Sequence, residues 1–331
     1  MKKIFTVVMA LAASLCVMSA ERVRVGDLYY LIDKENETAQ VTSAVDVLNT
    51  KSNYAIVRVG TVSSVGSEQA SGNYWGDIHI PSTIKYKSVT YTVTAIGENA
   101  FYGCKNVTEV VIPNSVTSIG KNAFYSCWKL THVNIGKGVT SIGNYAFRTC
   151  INLSIVDMHD GLASIGEEAF AGCIALTKLT LPASVTSIAK SAFASCAKME
   201  SMVVNEGNPV YDSRDNCNAI IETASNTLIA GCKNTVIPSS VTVIGETAFA
   251  GNNKIKSITI PASVTKVDDY AFYACTDLKT IICEAVTPPV CGEYDVFTNV
   301  NSSCKLLVPK ESVSAYKSAE GWNTIKQIKK K

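Results

Sequence analysis

The dipeptide Ala-Phe returns along the chain at a fixed spacing, and this periodicity constrains the fold more than any other feature. Its phenylalanines lie 23 residues apart in two series, Phe101, Phe124, Phe147, Phe170 and Phe193, then Phe249 and Phe272. The interval between the two series is 56 residues, which is one period plus 33. Before most copies stands the phrase Ser-Val-Thr-Ser-Ile-Gly or a close variant of it. Registered copies of this kind predict a solenoid, in which stacked repeats share one core.

Each repeat predicts a short strand followed by a turn, a second extended segment and an inward-packing turn. Val133 and Ile135 are two residues apart, which places both on one face of a strand, while His132 and Asn134 point to the other. Gly136, or a proline in other repeats, ends this strand. The Ala-Phe segment that follows has spacing suited to a short helical turn packed against the core.

The full pattern is Leu-x-x-Val-x-Ile-Pro-x-Ser-Val-Thr-Ser-Ile-Gly-x-x-Ala-Phe-x-x-Cys. It resembles the BspA-type leucine-rich repeats of exported bacterial proteins, and the resemblance covers roughly residues 90–285. The resemblance implies a β-rich leucine-rich-repeat solenoid, right-handed, with 23-residue rungs. It also implies a place among surface-exposed or secreted proteins, several of them associated with attachment to a host. It implies no catalytic residue.

The segments outside the repeats predict ends of different kinds. Lys2 and Lys3 precede an apolar run and two small residues, so we expect residues 1–20 to be a signal peptide. Residues 21–90 alternate as strands do and predict an N-terminal β cap, since an open solenoid end exposes core and strand edge. The solenoid itself is expected over 91–285 and a C-terminal cap over 286–331, with Trp322 and Ile325 against the last rung.

Charge and hydropathy exclude several classes of partner. The formal charge is +2, and removing the two signal-peptide lysines leaves a neutral chain. A neutral chain disfavours nucleic acid and anionic lipid, which need a basic surface. No stretch approaches the roughly 20 apolar residues of a membrane span, so none is expected in the mature chain. We therefore expect an exported protein that is secreted, displayed at the cell surface or periplasmic.

Cysteine follows the repeat phenylalanine by three positions in six repeats, and we interpret this column as small, buried apolar residues. The 33 extra residues include a hairpin insertion near 206–232. A four-residue loop between Glu222 and Thr227 would place Cys217 opposite Cys232, which makes this pair a disulfide candidate. Cys291 and Cys304 form a second candidate pair. No cofactor is expected.

Catalytic or metal-binding constellations are sparse in this sequence. Asp157, His159 and Asp160 could be imagined as ligands, but a loop of solvated side chains is the favoured interpretation, since no ligand pair recurs at zinc spacing. No phosphate loop or nucleophile elbow is present. The sequence predicts that the protein is not an enzyme.

Recognition of a protein partner is what the periodicity favours, because outward strand positions vary while inward columns do not. The candidate partner-binding residues are Glu109, His132, Asn134, Asp157, Lys178, Thr180, Ser257 and Thr259. An adhesin that binds host or neighbouring-cell proteins is the leading hypothesis. Two alternatives are a glycan-binding module acting through Tyr54, Tyr74 and Trp75, and a structural envelope protein without a specific ligand.

Overall fold

The structure is a computed structural model that describes residues 21–26, 28–34, 36–42 and 74–331. The predicted signal peptide and Tyr54 lie outside the described residues. The first fifteen strands are β1 (Glu21–Val25), β2 (Leu28–Asp33), β3 (Thr38–Thr42), β4 (Trp75–His79), β5 (Thr83–Tyr86), β6 (Val89–Ile96), β7 (Asn106–Val111), β8 (Ser118–Ile119), β9 (His132–Asn134), β10 (Ser141–Ile142), β11 (Ile155–Asp157), β12 (Ser164–Ile165), β13 (Lys178–Leu181), β14 (Ser187–Ile188) and β15 (Ser201–Val204).

The remaining strands are β16 (Tyr211–Asp212), β17 (Ala219–Glu222), β18 (Thr227–Gly231), β19 (Val243–Ile244), β20 (Ser257–Ile260), β21 (Lys266–Val267), β22 (Thr280–Cys283), β23 (Val290–Cys291), β24 (Lys305–Val308) and β25 (Gln327–Lys330). One α-helix, α1 (Val313–Ser318), and three short 3-10 helices (Arg214–Asn216, Lys310–Ser312 and Trp322–Thr324) complete the described elements.

The repeats stack into a β-solenoid of about ten turns, which confirms the predicted fold class. Each repeat contributes two short strands, and most strands pair in parallel with their counterparts in the next repeat. Ser118 pairs with Ser141 and Ile119 with Ile142, for example, which is a shift of one 23-residue period. We call the outward side of β4, β7, β9, β11, β13, β15, β20, β22, β24 and β25 the first-strand face.

The core consists of columns of identical side chains that run along the solenoid axis. The rings of Phe101, Phe124 and Phe147 are parallel, with centroids 4.9 Å and 5.1 Å apart, and all three are buried. The repeated cysteines are buried beside them, as predicted. Five of the six thiols also donate a hydrogen bond to the preceding repeat; the Cys127 Sγ, for example, lies 3.1 Å from the Phe101 carbonyl oxygen.

The Ala-Phe segment is a run of tight turns, so the prediction of a short helical turn is wrong although its inward packing is confirmed. The residues two positions before and two positions after the phenylalanine have a left-handed backbone conformation, as Asn99 (φ 57°) and Gly103 (φ 67°) do around Phe101. The N–H groups of these three residues donate to carbonyls of the following repeat. We call this hydrogen-bonded third side of the solenoid the turn face.

The insertion divides the core into two clusters of buried residues. The strand β18 of the insertion pairs with β19, the second strand of the next repeat, in a sheet of order β16-β17-β18-β19-β21-β23. A tyrosine of the insertion binds the exposed edge of β14: the Ile188 N–H donates a hydrogen bond to the Tyr211 hydroxyl at 3.0 Å. The regular stacking therefore stops after β14 and resumes at β19.

Aromatic rings lie at both ends of the phenylalanine column. Tyr74 packs on Phe101 with ring centroids 4.8 Å apart, and Trp322 packs on Phe297 at 4.9 Å. The Trp322 indole N–H donates to the Pro289 carbonyl at 2.7 Å. Trp322 and Ile325 are buried as expected, whereas the interpretation of the end segments as caps stays a prediction.

Among the described residues, the helices are all too short to cross a membrane.

Candidate functional site

The first-strand face carries all eight candidate residues as half-buried or exposed side chains. The intervening residues of the same strands are buried, as Val110, Val133 and Leu179 show. This alternation follows from the strand period of two, because successive side chains point to opposite sides. The described geometry thus places the candidates outward, while their role in binding stays a proposal.

The strands of this face belong to three separate sheets. The sheets are β4-β7-β9-β11, then β13-β15, then β20-β22-β24-β25. The first break between sheets comes after β11. The central residue of β11, Val156, is only half-buried, whereas the equivalent residue of other repeats is buried. The insertion causes the second division. Glu109, His132, Asn134 and Asp157 are therefore brought together, whereas Lys178 with Thr180 and Ser257 with Thr259 lie on other sheets.

His132 holds two carboxylates from neighbouring repeats. Its Nε2 lies 2.8 Å from the Asp157 Oδ2, and its Nδ1 lies 3.4 Å from the Glu109 Oε1. The three side chains are 29% to 47% exposed, which leaves them accessible to a partner. They form one polar cluster, which we call the His132 cluster.

The face begins earlier than the candidate residues suggest, because β4 pairs in parallel with β7. Trp75, Asp77 and His79 are exposed on this strand, and Asp77 pairs with Glu109 across a register shift. The Thr108 hydroxyl donates to the Asp77 carboxylate at 2.7 Å. Sequence reasoning does not place these residues on the first-strand face, because β4 lacks the repeat pattern and lies within the predicted N-terminal cap.

The two ends of the face differ in charge. The first sheet carries Asp77 and the His132 cluster, whereas the last sheet has Ser257, Thr259 and the exposed Lys305 as outward residues, next to Lys256 and Lys279. Between them, the Lys233 ammonium pairs with the Glu200 carboxylate at 2.5 Å, and this contact lowers the pKa of Glu200. A partner that spans the face would meet an acidic end and a basic end.

The repeated cysteines are buried in the core. Burial raises the pKa of the Cys104, Cys196 and Cys275 thiols to about 12, and it raises the pKa of Cys127 and Cys173 well above the usual value. A nucleophile or metal ligand must be a thiolate, and these thiols stay protonated at neutral pH. They act as packing groups and hydrogen-bond donors.

The cysteines of the insertion do not have the predicted register. Glu222 pairs with Thr227 as expected, but a bulge at Ile220 and Ile221 shifts the hairpin by one residue. Cys217 and Cys232 are both free thiols, and the Cys232 Sγ donates to the Asn218 carbonyl at 3.3 Å. Cys291 and Cys304 are free as well. The prediction of an uninterrupted hairpin register is wrong. The described contacts do not support a disulfide between Cys217 and Cys232 or between Cys291 and Cys304.

The two described aromatic residues of the glycan alternative, Tyr74 and Trp75, do not form one surface. Tyr74 is buried in the core against Phe101, and its hydroxyl lies 3.3 Å from the Tyr29 N–H. Burial also raises its pKa. Trp75 is 52% exposed, but it stands on the first-strand face. Tyr74 is therefore a packing residue, which does not support its role in the glycan-binding alternative.

Metal ligation was considered at Asp157, His159 and Asp160, and the structure pairs Asp157 with His132 instead. In the part of the chain that the structure describes, no three His, Cys, Asp or Glu side chains are grouped so as to hold a metal ion.

The fold and the repeated columns define a leucine-rich-repeat solenoid protein. The model of the BspA type leucine rich repeat region matches residues 78–207 and 223–326 in six copies. The chain belongs to this family, which comprises bacterial cell-surface proteins. Solenoids of this family are typically non-catalytic, and its members are typically surface-exposed or secreted.

Solved structures with the same fold come from several bacteria. A leucine-rich repeat protein from Bacteroides ovatus is 27% identical with a TM-score of 0.58, over 93% of this chain and 76% of that one. One from Eubacterium ventriosum is 19% identical with a TM-score of 0.53, over 88% and 82%. The pneumococcal vaccine antigen PcpA is 15% identical with a TM-score of 0.52, over 94% and 99%. No curated protein matches this chain at a significant level.

Proposed function

We propose that the protein is exported and binds a protein partner through the first-strand face, as an adhesin does. The observation that carries this proposal is the contrast within single strands: the inward residues repeat from rung to rung, while the outward residues change. The membership of the chain in a family of cell-surface proteins supports the same interpretation. The protein performs no catalysis in this proposal.

The His132 cluster is the centre of the proposed surface. It joins three repeats through contacts of 2.8 Å and 3.4 Å, so the two carboxylates are held in place before a partner arrives. Side chains that are already ordered lose less entropy on binding. The cluster then presents a fixed acidic patch, which favours a partner with lysine or arginine at the matching position.

The test compares two variants of residues 21–331 with equal changes in charge. One carries Glu109→Lys, Asp157→Lys and Lys178→Glu on the first-strand face. The control carries Glu206→Lys, Glu293→Lys and Lys317→Glu at exposed positions elsewhere. Both variants and the wild type are measured against a panel of purified matrix proteins and a glycan array, after thermal unfolding has shown that they are equally stable.

We expect the wild type and the control variant to bind a protein of the panel equally, while the face variant loses at least tenfold in affinity. Equal binding by all three would contradict the role of the face. Binding to glycans alone would favour the glycan-binding alternative, and binding to neither would favour a structural envelope protein. Protease treatment of intact cells tests surface display separately, since a displayed chain is cleaved without lysis.

A further inference from the structure

A groove on the turn face has the composition of a second binding site. Tyr102, Lys121, Asn122, Tyr125, Tyr145 and Arg148 line it, and its volume is about 260 Å³. These residues come from three consecutive repeats and lie at positions that vary between repeats. The groove is separate from the first-strand face, so a ligand bound here would be distinct from the partner proposed above.

The tyrosine rings and the arginine form a stack along the solenoid axis. Tyr102 and Tyr125 are parallel with centroids 4.9 Å apart, and the Arg148 guanidinium lies 6.0 Å from the Tyr125 ring. Arg148 also lies 5.6 Å from the Tyr145 ring. Tyr102 belongs to the preceding repeat and Arg148 to the following one, so both faces of the Tyr125 ring are covered. The edges of the stack, with the tyrosine hydroxyls, are what a ligand meets.

The backbone beneath the groove is fixed by hydrogen bonds between repeats. The N–H of Asn122 donates to Asn144 at 2.9 Å, and the N–H of Phe124 donates to Ala146 at 2.7 Å. Tyr145 and Asn122 occupy the left-handed position of their turns, with φ of 60° and 54°. The lining side chains thus start from a rigid base, and the groove is preorganised.

The lining groups favour an anionic ligand. Two cations, one amide and three phenols line the groove, and no carboxylate does. Lys121 forms no ion pair with a carboxylate of the described residues, whereas Arg148 pairs with Glu168 at 2.8 Å on the far side. Phenol and ammonium groups donate hydrogen bonds to carboxylates, and such charge-assisted bonds are the strong ones.

We propose that the groove binds an acidic peptide segment of a protein partner, with its carboxylates held by Lys121, Arg148 and the tyrosine hydroxyls. Tyrosine and arginine are the residues that dominate binding energy at protein interfaces. A sugar ring would need an open aromatic face, and the central ring of the stack offers none. An acidic polysaccharide is therefore the competing ligand that the experiment must separate.

The experiment measures the affinity of residues 21–331 for fluorescent poly-L-glutamate by anisotropy at about 50 mM salt, where screening is weak. Lys121→Gln with Arg148→Gln removes both cations, and we expect at least a tenfold loss. Tyr125→Phe keeps the stack and removes one hydroxyl, and we expect about a threefold loss. Lys310→Gln with Lys317→Gln removes two exposed lysines far along the chain, and this matched control leaves the affinity unchanged.

Glu168→Gln gives a test in the opposite direction. It frees Arg148 from its ion pair, so the affinity for poly-L-glutamate should rise about twofold to threefold. Thermal unfolding of every variant shows whether the fold is intact.

Three results would overturn the proposal. The first is no saturable binding of poly-L-glutamate by the wild type. The second is equal affinity of the wild type and the Lys121→Gln, Arg148→Gln variant. The third is binding of polygalacturonate that is as tight as that of poly-L-glutamate and equally sensitive to these substitutions, which would identify an acidic-glycan site.

Discussion

The inward and outward residues of one strand, β9, have opposite tasks. Val133 is fully buried and has a Val, Ile, Leu or Met counterpart in the neighbouring rungs, whereas His132 and Asn134 are accessible and change from rung to rung. Because stacked repeats must share a core, the inward columns are restricted to a few residue types. The outward row is free of this restriction and can specify a partner. Stability and recognition are therefore separable by substitution.

The largest loss of stability is expected from an inward ring. Phe147→Ala removes a ring stacked on both sides, at 5.1 Å from Phe124 and 5.2 Å from Phe170. The cavity should lower the free energy of unfolding by about 3–5 kcal/mol. Urea unfolding followed by circular dichroism measures this. A loss below about 1 kcal/mol would show that the column is not the main source of stability.

The second largest effect is expected from alkaline pH, which should lower the free energy of unfolding through the buried cysteine column. The folded pKa of Cys104, Cys196 and Cys275 is raised to about 12 from a usual value of 9. Between these values the unfolded chain loses protons that the folded chain keeps, so stability present below pH 9 is lost as the pH rises toward 12. Each such thiol should contribute a slope of about 1.4 kcal/mol per pH unit.

Urea titrations at pH 7.5, 9 and 10 check this dependence. The variant Cys196→Ala is the control, since it removes one thiol and should show a shallower decline above pH 9. A free energy of unfolding that stays constant over this range would contradict the burial of the cysteine column.

A smaller effect is expected at the left-handed positions of the turn face. A Cβ added at Gly172 (φ 74°) would lie 3.6 Å or more from its nearest neighbour, Thr149, without a clash, so Gly172→Ala should cost about 1 kcal/mol through backbone strain. Thr149 (φ 61°) carries a β-branched side chain in the same role, and Thr149→Gly should stabilise the chain by about 0.5 kcal/mol. The two variants are compared by thermal unfolding, and changes of equal sign would contradict this assignment.

The smallest change in stability is expected from the outward row. Asn134→Ala should alter the free energy of unfolding by less than about 0.5 kcal/mol, as is usual for surface positions. His132→Ala should cost less than about 1 kcal/mol, the usual range of an exposed ion pair. Calorimetry of both variants checks these values, and a loss as large as that of Phe147→Ala would show that the cluster holds the fold together.

The periodicity was sufficient to predict the solenoid, its buried columns and the outward position of the candidate residues. Each repeat places the same residue types in the same environment, so spacing alone identifies the columns. The turn face was mispredicted as helical because its left-handed positions hold Asn99, Tyr145 and Thr149, which share no sequence signal. The Tyr102 and Tyr125 stack was missed for a related reason, since only two repeats carry it.

The division of the first-strand face into three sheets could not be predicted from the sequence either. Ile155 has the spacing of a regular strand, yet β11 does not pair with β13. The bulge at Ile220 and Ile221 also leaves no mark in the residue pattern, although it displaces Cys217 from Cys232. Such local shifts depend on packing between neighbouring repeats, which a single-repeat pattern does not contain.

Carboxyl footprinting tests the central claim most directly. The chain is labelled at exposed carboxylates with a water-soluble carbodiimide, with and without a protein that it binds in the panel, and the labels are quantified by mass spectrometry. If the first-strand face binds the partner, labelling of Asp77, Glu109 and Asp157 falls severalfold, while Glu206 and Glu293 are unchanged. Unchanged labelling of the first three residues in the complex would contradict the account.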